Sequence, residues 1–264
     1  MSALKNDFLK LVDVMLELRA KCPWDEKQTN ETLRYLTLEE CYELSNAIIE
    51  KDDNSIKEEL GDILLHIIFY AIIGSENQKF NLSDVINAQI EKLINRHPHI
   101  YSNVKVKDEK DVKRNWELLK LKEKNKKSVL SGVPKSLPVM LKSYRIQEKV
   151  KGVGFDFDDD KSAFNKIMEE VNEFAHEMDN NNLDKATEEF GDLLFALIGY
   201  AQKKGINSMN ALEKANKKFI SRFTKIESFI LKQEKSISDY SIEELGHFWC
   251  QAKKSELGNK NQDA

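Results

Sequence analysis

Residues 58–71 read EELGDILLHIIFYA and place Glu59 and Asp62 directly against nine residues that are almost all apolar. Residues 188–201 read EEFGDLLFALIGYA, and 8 of these 14 positions are identical to the first stretch. A carboxylate is costly to remove from water unless a cation compensates its charge. A helix that twice carries acids into its apolar face therefore predicts a site for a positively charged ligand.

The rest of the chain repeats around these two stretches. EECYE at 39–43 corresponds to EEVNE at 169–173, and the shift of 130 residues is the one that relates 59 to 189. Apolar residues recur every three or four positions, which is typical of amphipathic helices, and alternating strand patterns are absent from the sequence. We therefore predict an all-α protein with two tandem helical bundle domains, at residues 1–122 and 139–264. A linker rich in Lys, Ser, Gly and Pro is expected at residues 123–138.

Composition limits the partners and the compartment. The 264 residues carry a formal net charge of −4, which gives no basic surface for stable nucleic-acid binding. No apolar run approaches the roughly 20 residues that cross a bilayer, so no membrane association is expected. The three cysteines, Cys22, Cys41 and Cys250, are widely spaced and are interpreted as reduced thiols. We expect a cytoplasmic protein.

Each repeat contains the pattern E-E-x-x-E followed by E-x-x-D, and the two motifs begin 20 residues apart. Residues three apart share one face of a helix, and a short connection near residues 50–55 would make the two helices antiparallel neighbours. Four convergent carboxylates repel unless a cation neutralises them, and oxygen ligands suit Mg²⁺, with Mn²⁺ as a substitute. The predicted metal ligands are Glu40, Glu43, Glu59 and Asp62, and then Glu170, Glu173, Glu189 and Asp192.

Two structural explanations compete with the metal site. An acidic run is commonly a solvated helix face, and Thr37 with Glu40 also fits a capping box at a helix start. The second copy keeps Glu170 but has Ile167 where the capping residue would be, which favours the metal site. Glycine inside a helix costs about 1 kcal/mol relative to alanine, and we expect close helix approach to explain the glycine in each E-x-G-D segment, Gly61 and Gly191.

A di-iron carboxylate site is the nearest rival among metal centres. It would need Glu-x-x-His on two helices, but no histidine occupies the third position of any of the four motifs. His66 lies one turn after Asp62, and its counterpart in the second copy is Ala196. We interpret His66 as a packed core residue and regard iron as disfavoured.

Basic and aromatic residues recur in register with the acids. No phosphate-binding glycine loop occurs, so nucleotide binding would depend on metal ions and side chains. A Lys/Arg pair one helical turn apart could contact a polyphosphate, and a Trp/Lys pair could stack on a base and contact phosphate. An exposed basic face and an amphipathic packing residue remain the alternatives for these pairs. The substrate-binding candidates are Lys92 with Arg96, Lys218 with Arg222, Trp116 with Lys120, and Trp249 with Lys253.

The segments CPWDEKQT, YLTLEECYEL, EELGDILLHIIFYA, RHPHIY and NWELLKLKEK, followed by VGFDF, EEVNEF, EEFGDLLFALIGYA and KANKKFISRF, resemble the tandem-domain MazG nucleoside triphosphate pyrophosphohydrolases. The resemblance runs in order over residues 4–254. It implies an all-α bundle that is usually dimeric and uses Mg²⁺ to cleave nucleoside triphosphates between the α- and β-phosphates. It also implies that the eight acids above are the metal ligands, that Lys218 and Arg222 bind the triphosphate, and that the C-terminal copy does the chemistry.

The expected activity is hydrolysis of ribo- and deoxynucleoside triphosphates to monophosphate and pyrophosphate with broad base preference, a reaction that could clear unwanted nucleotides. The first acid of each E-E pair, Glu39 or Glu169, is the candidate for orienting or deprotonating the attacking water. Gly152 and Gly154 are expected to make the loop before the second copy mobile. The alternative function is a non-catalytic module that binds nucleotide or metal and acts through partner contacts.

Overall fold

The computed structural model describes residues 2–108, 111–112, 115–116, 119 and 128–260, with side chains as far as residue 255. Within these residues the regular structure is helical and no strand is present, which confirms the predicted all-α class. The chain divides into two compact units, Met1–Val112 and Lys113–Ala264. The linker predicted at 123–138 lies partly outside the described residues, and its boundaries stay a prediction. No described helix is long and apolar enough to cross a membrane.

The described helices of the N-terminal unit are α1 Ser2–Lys21, α2 Asn30–Glu50, α3 Asp53–Glu76, α4 Leu82–Arg96 and α5 Pro98–Tyr101. The unit is organised around α3, which is long and apolar. Helices α1 and α4 pack on α3, and α2 runs beside it. The buried centre comes from α1, α2 and α3 and includes Met15, Leu33 and Phe69.

A tight turn joins α2 to α3, as the sequence predicts. Lys51 closes α2 in the left-handed conformation with φ of 60°. The Asp52 carboxylate then accepts hydrogen bonds from the backbone N–H groups of Asn54 and Ser55 and so caps α3. Because the connection is so short, the two helices are neighbours, and the acidic faces of both meet.

The C-terminal unit contains a helix pair that corresponds to α2 and α3. Its described helices are α6 Val139–Gly152, α7 Asp160–Asp179, α8 Leu183–Lys203, α9 Ser208–Leu231 and α10 Ile242–Lys260, with 3₁₀ turns at Val129–Gly132 and Ile237–Asp239. Helices α7 and α8 lie side by side, α6 packs on α8, and α9 pairs with α10 around the buried residues Ile226, Ile230 and Ala252. Asn182 caps α8 by accepting from the backbone N–H of Lys185.

The capping-box explanation for Glu40 is wrong. Helix α2 begins at Asn30, and its cap is Thr29, which exchanges hydrogen bonds with Thr32. Thr37 lies well inside the helix, where its hydroxyl donates to the Leu33 carbonyl at 3.0 Å. Glu40 therefore has no role in starting the helix.

The expectation that Gly61 and Gly191 allow a close approach of helices is also wrong. A Cβ added at Gly61 or Gly191 would meet no atom of the described residues within 4 Å, so neither glycine is needed for close helix packing among them. Gly199, two turns further along α8, differs because an added Cβ would collide with the Gln147 side chain. Open space thus lies beside the two acidic motifs.

Gly191→Ala is expected to raise the free energy of unfolding by about 0.5–1 kcal/mol, since alanine is the better helix former and the added methyl meets nothing. Gly199→Ala is the matched control on the same helix. It should be less stable than Gly191→Ala, because Gln147 is buried and donates to the Phe195 carbonyl at 2.6 Å. Denaturant unfolding of both metal-free variants measures the difference. If Gly191→Ala were less stable than Gly199→Ala, the space beside residue 191 could not be open.

Candidate metal centres

The acids of the first repeat converge from α2 and α3. One carboxylate oxygen each from Glu40, Glu59 and Asp62 lies within 4.8 Å of the others, and all three residues are half-buried. Glu43 is outside this trio. With the other ligands predicted for the first repeat it forms what we call the N-terminal centre: Glu40, Glu43, Glu59 and Asp62.

A cavity of about 610 Å³ opens beside the N-terminal centre. Glu43 and Glu59 form part of its wall, so the predicted ligand outside the trio faces the same space. Glu39, the predicted water-orienting acid, also lines it. The remaining lining residues are Tyr42, Asn46, Ala47, Glu50, Asp52 and Ser55.

The acids of the second repeat converge in the same way from α7 and α8. Glu170, Glu189 and Asp192 offer oxygens within 4.8 Å of one another, and Glu169, Glu170 and Glu173 form a second such group. Glu170 belongs to both groups and is only 4 % exposed. It thereby links all the acids that we call the C-terminal centre: Glu170, Glu173, Glu189 and Asp192.

The charges in both centres disfavour ionisation. Burial and neighbouring carboxylates raise the pKa of Glu40, Glu59 and Glu189 above its ordinary value. A cation at either centre would remove this repulsion. The donors are all carboxylate oxygens, a set that fits Mg²⁺ or Mn²⁺ better than a softer metal.

His66 lies outside the carboxylate trio. It is buried, its Nδ1 makes no hydrogen bond to any described residue, and burial lowers its pKa despite the nearby charge of Asp62. These features agree with its interpretation as a core histidine and leave the N-terminal centre with oxygen donors.

Lys166 lies beside the C-terminal centre and was not among the residues predicted from the sequence. Its ammonium donates to Glu169 at 2.6 Å and lies 2.7 Å from a carboxylate oxygen of Glu170. Hydrogen bonds to these two glutamates raise the pKa of the lysine. The signal was present in the sequence, because a lysine three and four residues before two glutamates lies on their helix face. The first repeat has Leu36 at the corresponding position.

The basic and aromatic candidates of the second repeat lie on α9 and α10. The Arg222 guanidinium lies over the Trp249 ring, 5.6 Å from its centroid, and the Phe219 ring is 5.0 Å from the same indole. Trp249 also packs against the buried centre of α9 and α10. The tryptophan thus supports the arginine and is itself a packing residue, while Lys218 and Lys253 are exposed.

The corresponding candidates of the first repeat are less completely defined. Lys92 is exposed and Arg96 half-buried, both in the last two turns of α4. Trp116 is half-buried in a helical segment. Lys120 lies outside the described residues, so the predicted Trp116 and Lys120 pair stays a prediction.

The loop before the first acidic repeat is held by Arg19. Its guanidinium pairs with Glu76 at 2.8–2.9 Å and donates to three backbone carbonyls of the loop, those of Asp25, Glu26 and Gln28. Trp24 at the tip of this loop is 55 % exposed. The loop therefore presents an aromatic ring on a fixed backbone.

The corresponding loop of the second repeat is also held in place. Lys203 donates to the Phe157 carbonyl at 2.6 Å and lies 3.6 Å from Asp156, which Lys151 approaches to 3.7 Å. Gly154 supplies the one left-handed position, with φ of 92°. These contacts tie the loop to α6 and α8, and the mobility expected from its glycines stays a prediction.

Comparison with known proteins agrees with this geometry. The MazG nucleotide pyrophosphohydrolase domain matches residues 28–101 and again residues 159–226. The chain belongs to the MazG family. The two matched stretches contain both carboxylate centres and both Lys/Arg pairs, whereas Trp116 and Trp249 lie beyond them.

Full-length relatives give the same result. The nucleoside triphosphate pyrophosphohydrolase/pyrophosphatase MazG of Thermotoga maritima is 40% identical over 250 residues, which cover 93% of this chain and 95% of that protein. The nucleoside triphosphate pyrophosphohydrolase of Escherichia coli K12 is 34% identical over 260 residues, covering 96% and 99%. The family, the tandem all-α fold and the class of enzyme, a nucleoside triphosphate pyrophosphohydrolase, are thereby confirmed.

Proposed function

We propose that this MazG protein is a Mg²⁺-dependent hydrolase that converts ribo- and deoxynucleoside triphosphates to the monophosphate and pyrophosphate, with broad base preference. The observation that carries the proposal is the convergence of Glu170, Glu189 and Asp192 within 4.8 Å inside the second matched stretch. Three carboxylates held this closely on two neighbouring helices would hold a divalent cation, which would neutralise part of the charge of a bound triphosphate. An enzyme with broad base preference could remove unwanted nucleotides from the cytoplasm, and we propose this as its role.

The acids of the C-terminal centre would hold the ion. When bound, Mg²⁺ supplies neutralisation of the triphosphate charge and a lowered pKa for the attacking water. Glu170 is buried on α7 and offers an oxygen within 4.8 Å of those of Glu189 and Asp192 on α8. Mn²⁺ should substitute, because it accepts the same oxygen donors.

The remaining side chains have separate tasks in this proposal. Glu169 is exposed next to Glu170 and is held by Lys166, which suits a group that orients or deprotonates the water. Arg222, supported by the Trp249 ring, would bind triphosphate oxygens as a charge-assisted hydrogen-bond donor. Lys218 and Lys253 add positive charge on the same two helices. In the first repeat the matching tasks would fall to Glu39, Lys92 and Arg96.

We assign most of the hydrolysis to the C-terminal centre. It has a lysine that holds its candidate water-orienting acid, whereas the first repeat has Leu36 at that position. The N-terminal centre retains its carboxylates and its cavity and is proposed to bind nucleotide or to hydrolyse it more slowly.

A homodimer would bury apolar side chains that the single chain leaves exposed. The pair α7 and α8 leaves large apolar side chains in water, among them Phe164, Phe190, Leu194 and Leu197, each between 44 % and 47 % exposed. Burying such surface contributes about 25 cal/mol per Å², and a second copy of the chain offers the matching face.

Light scattering at micromolar concentration should therefore give twice the chain mass of 30.6 kDa. Leu194→Glu, which places a charge in the exposed apolar face of α8, should shift the mass towards the monomer. Thr187→Glu places the same charge at an exposed polar position of that helix and should leave the dimer intact. A monomeric wild-type protein would contradict the proposal.

Turnover assays test the proposed function and its main alternative, a non-catalytic nucleotide-binding module. The protein is incubated with ATP, dGTP and dUTP in Mg²⁺, and pyrophosphate and orthophosphate are quantified separately. Pyrophosphate from all three substrates is expected. No turnover with any of them would favour the binding module, and orthophosphate alone would contradict cleavage between the α- and β-phosphates.

A further inference from the structure

The two repeats differ in the residue one turn before their paired glutamates. In the first repeat this residue is Leu36, which packs against the buried centre of the N-terminal unit. In the second it is Lys166, three residues before Glu169 and four before Glu170. A position that is apolar in one copy thus carries a cation in the other, directly beside the carboxylates of the C-terminal centre.

The Lys166 ammonium contacts both members of the glutamate pair. It lies 2.6 Å from Glu169 and 2.7 Å from Glu170. The Glu170 side chain is only 5% exposed and also lies within 4.8 Å of Glu189 and Asp192. A buried carboxylate among other carboxylates needs a cation nearby, and Lys166 supplies one.

We propose that Lys166 is an internal counter-cation that occupies the metal side of Glu170 in the metal-free C-terminal centre and releases Glu170 when the ion binds. The inference rests on the proposed metal site. It makes Lys166 a positioning residue, because it holds the acids of α7 in place before the metal arrives.

Two consequences follow from charge alone. An ammonium and a divalent cation repel each other when they share one carboxylate, so Lys166 weakens binding of the free metal ion. In the absence of metal, the same ammonium offsets repulsion among the acids and stabilises the unit. Removing Lys166 should therefore strengthen metal binding and destabilise the metal-free protein, a combination that an ordinary surface ion pair does not produce.

The test uses the full chain with Glu40→Gln and Glu59→Gln, which remove two ligands of the N-terminal centre. Into this background we place Lys166→Met, Lys166→Arg, or Lys161→Met, which removes one positive charge from an exposed position on the same helix. Mn²⁺ binding without nucleotide is followed by the electron paramagnetic resonance signal of the free ion. Lys166→Met should bind Mn²⁺ on the order of tenfold more tightly than the background. Lys161→Met should change the affinity less than about twofold, and Lys166→Arg should resemble the background because the charge is retained.

Thermal unfolding gives the second measurement. Metal-free Lys166→Met should unfold at a lower temperature than Lys161→Met, and saturating Mn²⁺ should abolish the difference. Unchanged or weaker Mn²⁺ affinity in Lys166→Met, or a stability deficit that persists with metal, would overturn the role of Lys166. No Mn²⁺ binding in any variant, including the background, would instead overturn the metal site and this inference with it.

Discussion

Glu173→Gln is expected to lower kcat/KM for nucleoside triphosphates by roughly 100-fold, whereas Glu43→Gln should retain a substantial fraction of wild-type turnover. Glutamine keeps the size of the side chain but removes the negative charge, so the change acts on the metal site, where an ion contributes several kcal/mol to catalysis. The two residues occupy matching positions in the two repeats. Pyrophosphate release at a fixed Mg²⁺ concentration measures both variants.

These variants control for each other, since each makes the same chemical change on a helix of the same type. Circular dichroism verifies that both remain folded. The reverse pattern of losses would assign most of the hydrolysis to the N-terminal centre. Equal losses would mean that both centres turn over substrate, and the asymmetry proposed from Lys166 and Leu36 would be wrong.

Removal of metal is expected to abolish turnover entirely. Without a divalent cation, the triphosphate charges are not neutralised and the acids of the centre keep a net negative charge even beside Lys166, so repulsion disfavours substrate binding. Excess chelator followed by dialysis should eliminate pyrophosphate release, and Mg²⁺ or Mn²⁺ should restore it. The added ion should also raise the unfolding temperature, because it binds only the folded protein. Undiminished turnover in the metal-free protein would contradict the oxygen-ligand metal site.

The carboxylate centres were predictable because helical periodicity and an internal repeat constrain them together. Spacing of three residues puts Glu40 with Glu43 and Glu59 with Asp62 on shared faces, and the short turn at Lys51 and Asp52 forces the helices to be neighbours. The same pattern recurring 130 residues later argued against a chance acidic run. Helical spacing and the short connection between α2 and α3 were therefore sufficient to predict that these carboxylates converge.

Other features depend on which of two local capping patterns forms, or on contacts between elements, and sequence spacing alone decides neither. Thr37 fits the capping pattern, yet α2 starts at Asn30 because Thr29 and Thr32 cap each other. The stacking of Arg222 on Trp249 arises from the packing of α9 against α10. Gly191 was expected to allow close helix approach, but a Cβ added there would meet no atom of the described residues within 4 Å.

We propose that this MazG protein hydrolyses the bond between the α- and β-phosphates at its C-terminal centre. Phosphorus-31 NMR of dGTP with Mg²⁺ is the decisive measurement, because it resolves every phosphate product in one sample. With wild-type protein, the triphosphate resonances should give way to those of dGMP and pyrophosphate in equal amounts, and Glu189→Gln should leave dGTP largely intact over the same time. Formation of dGDP and orthophosphate would rule out cleavage at this bond, and full conversion by Glu189→Gln would rule out the C-terminal centre as its site.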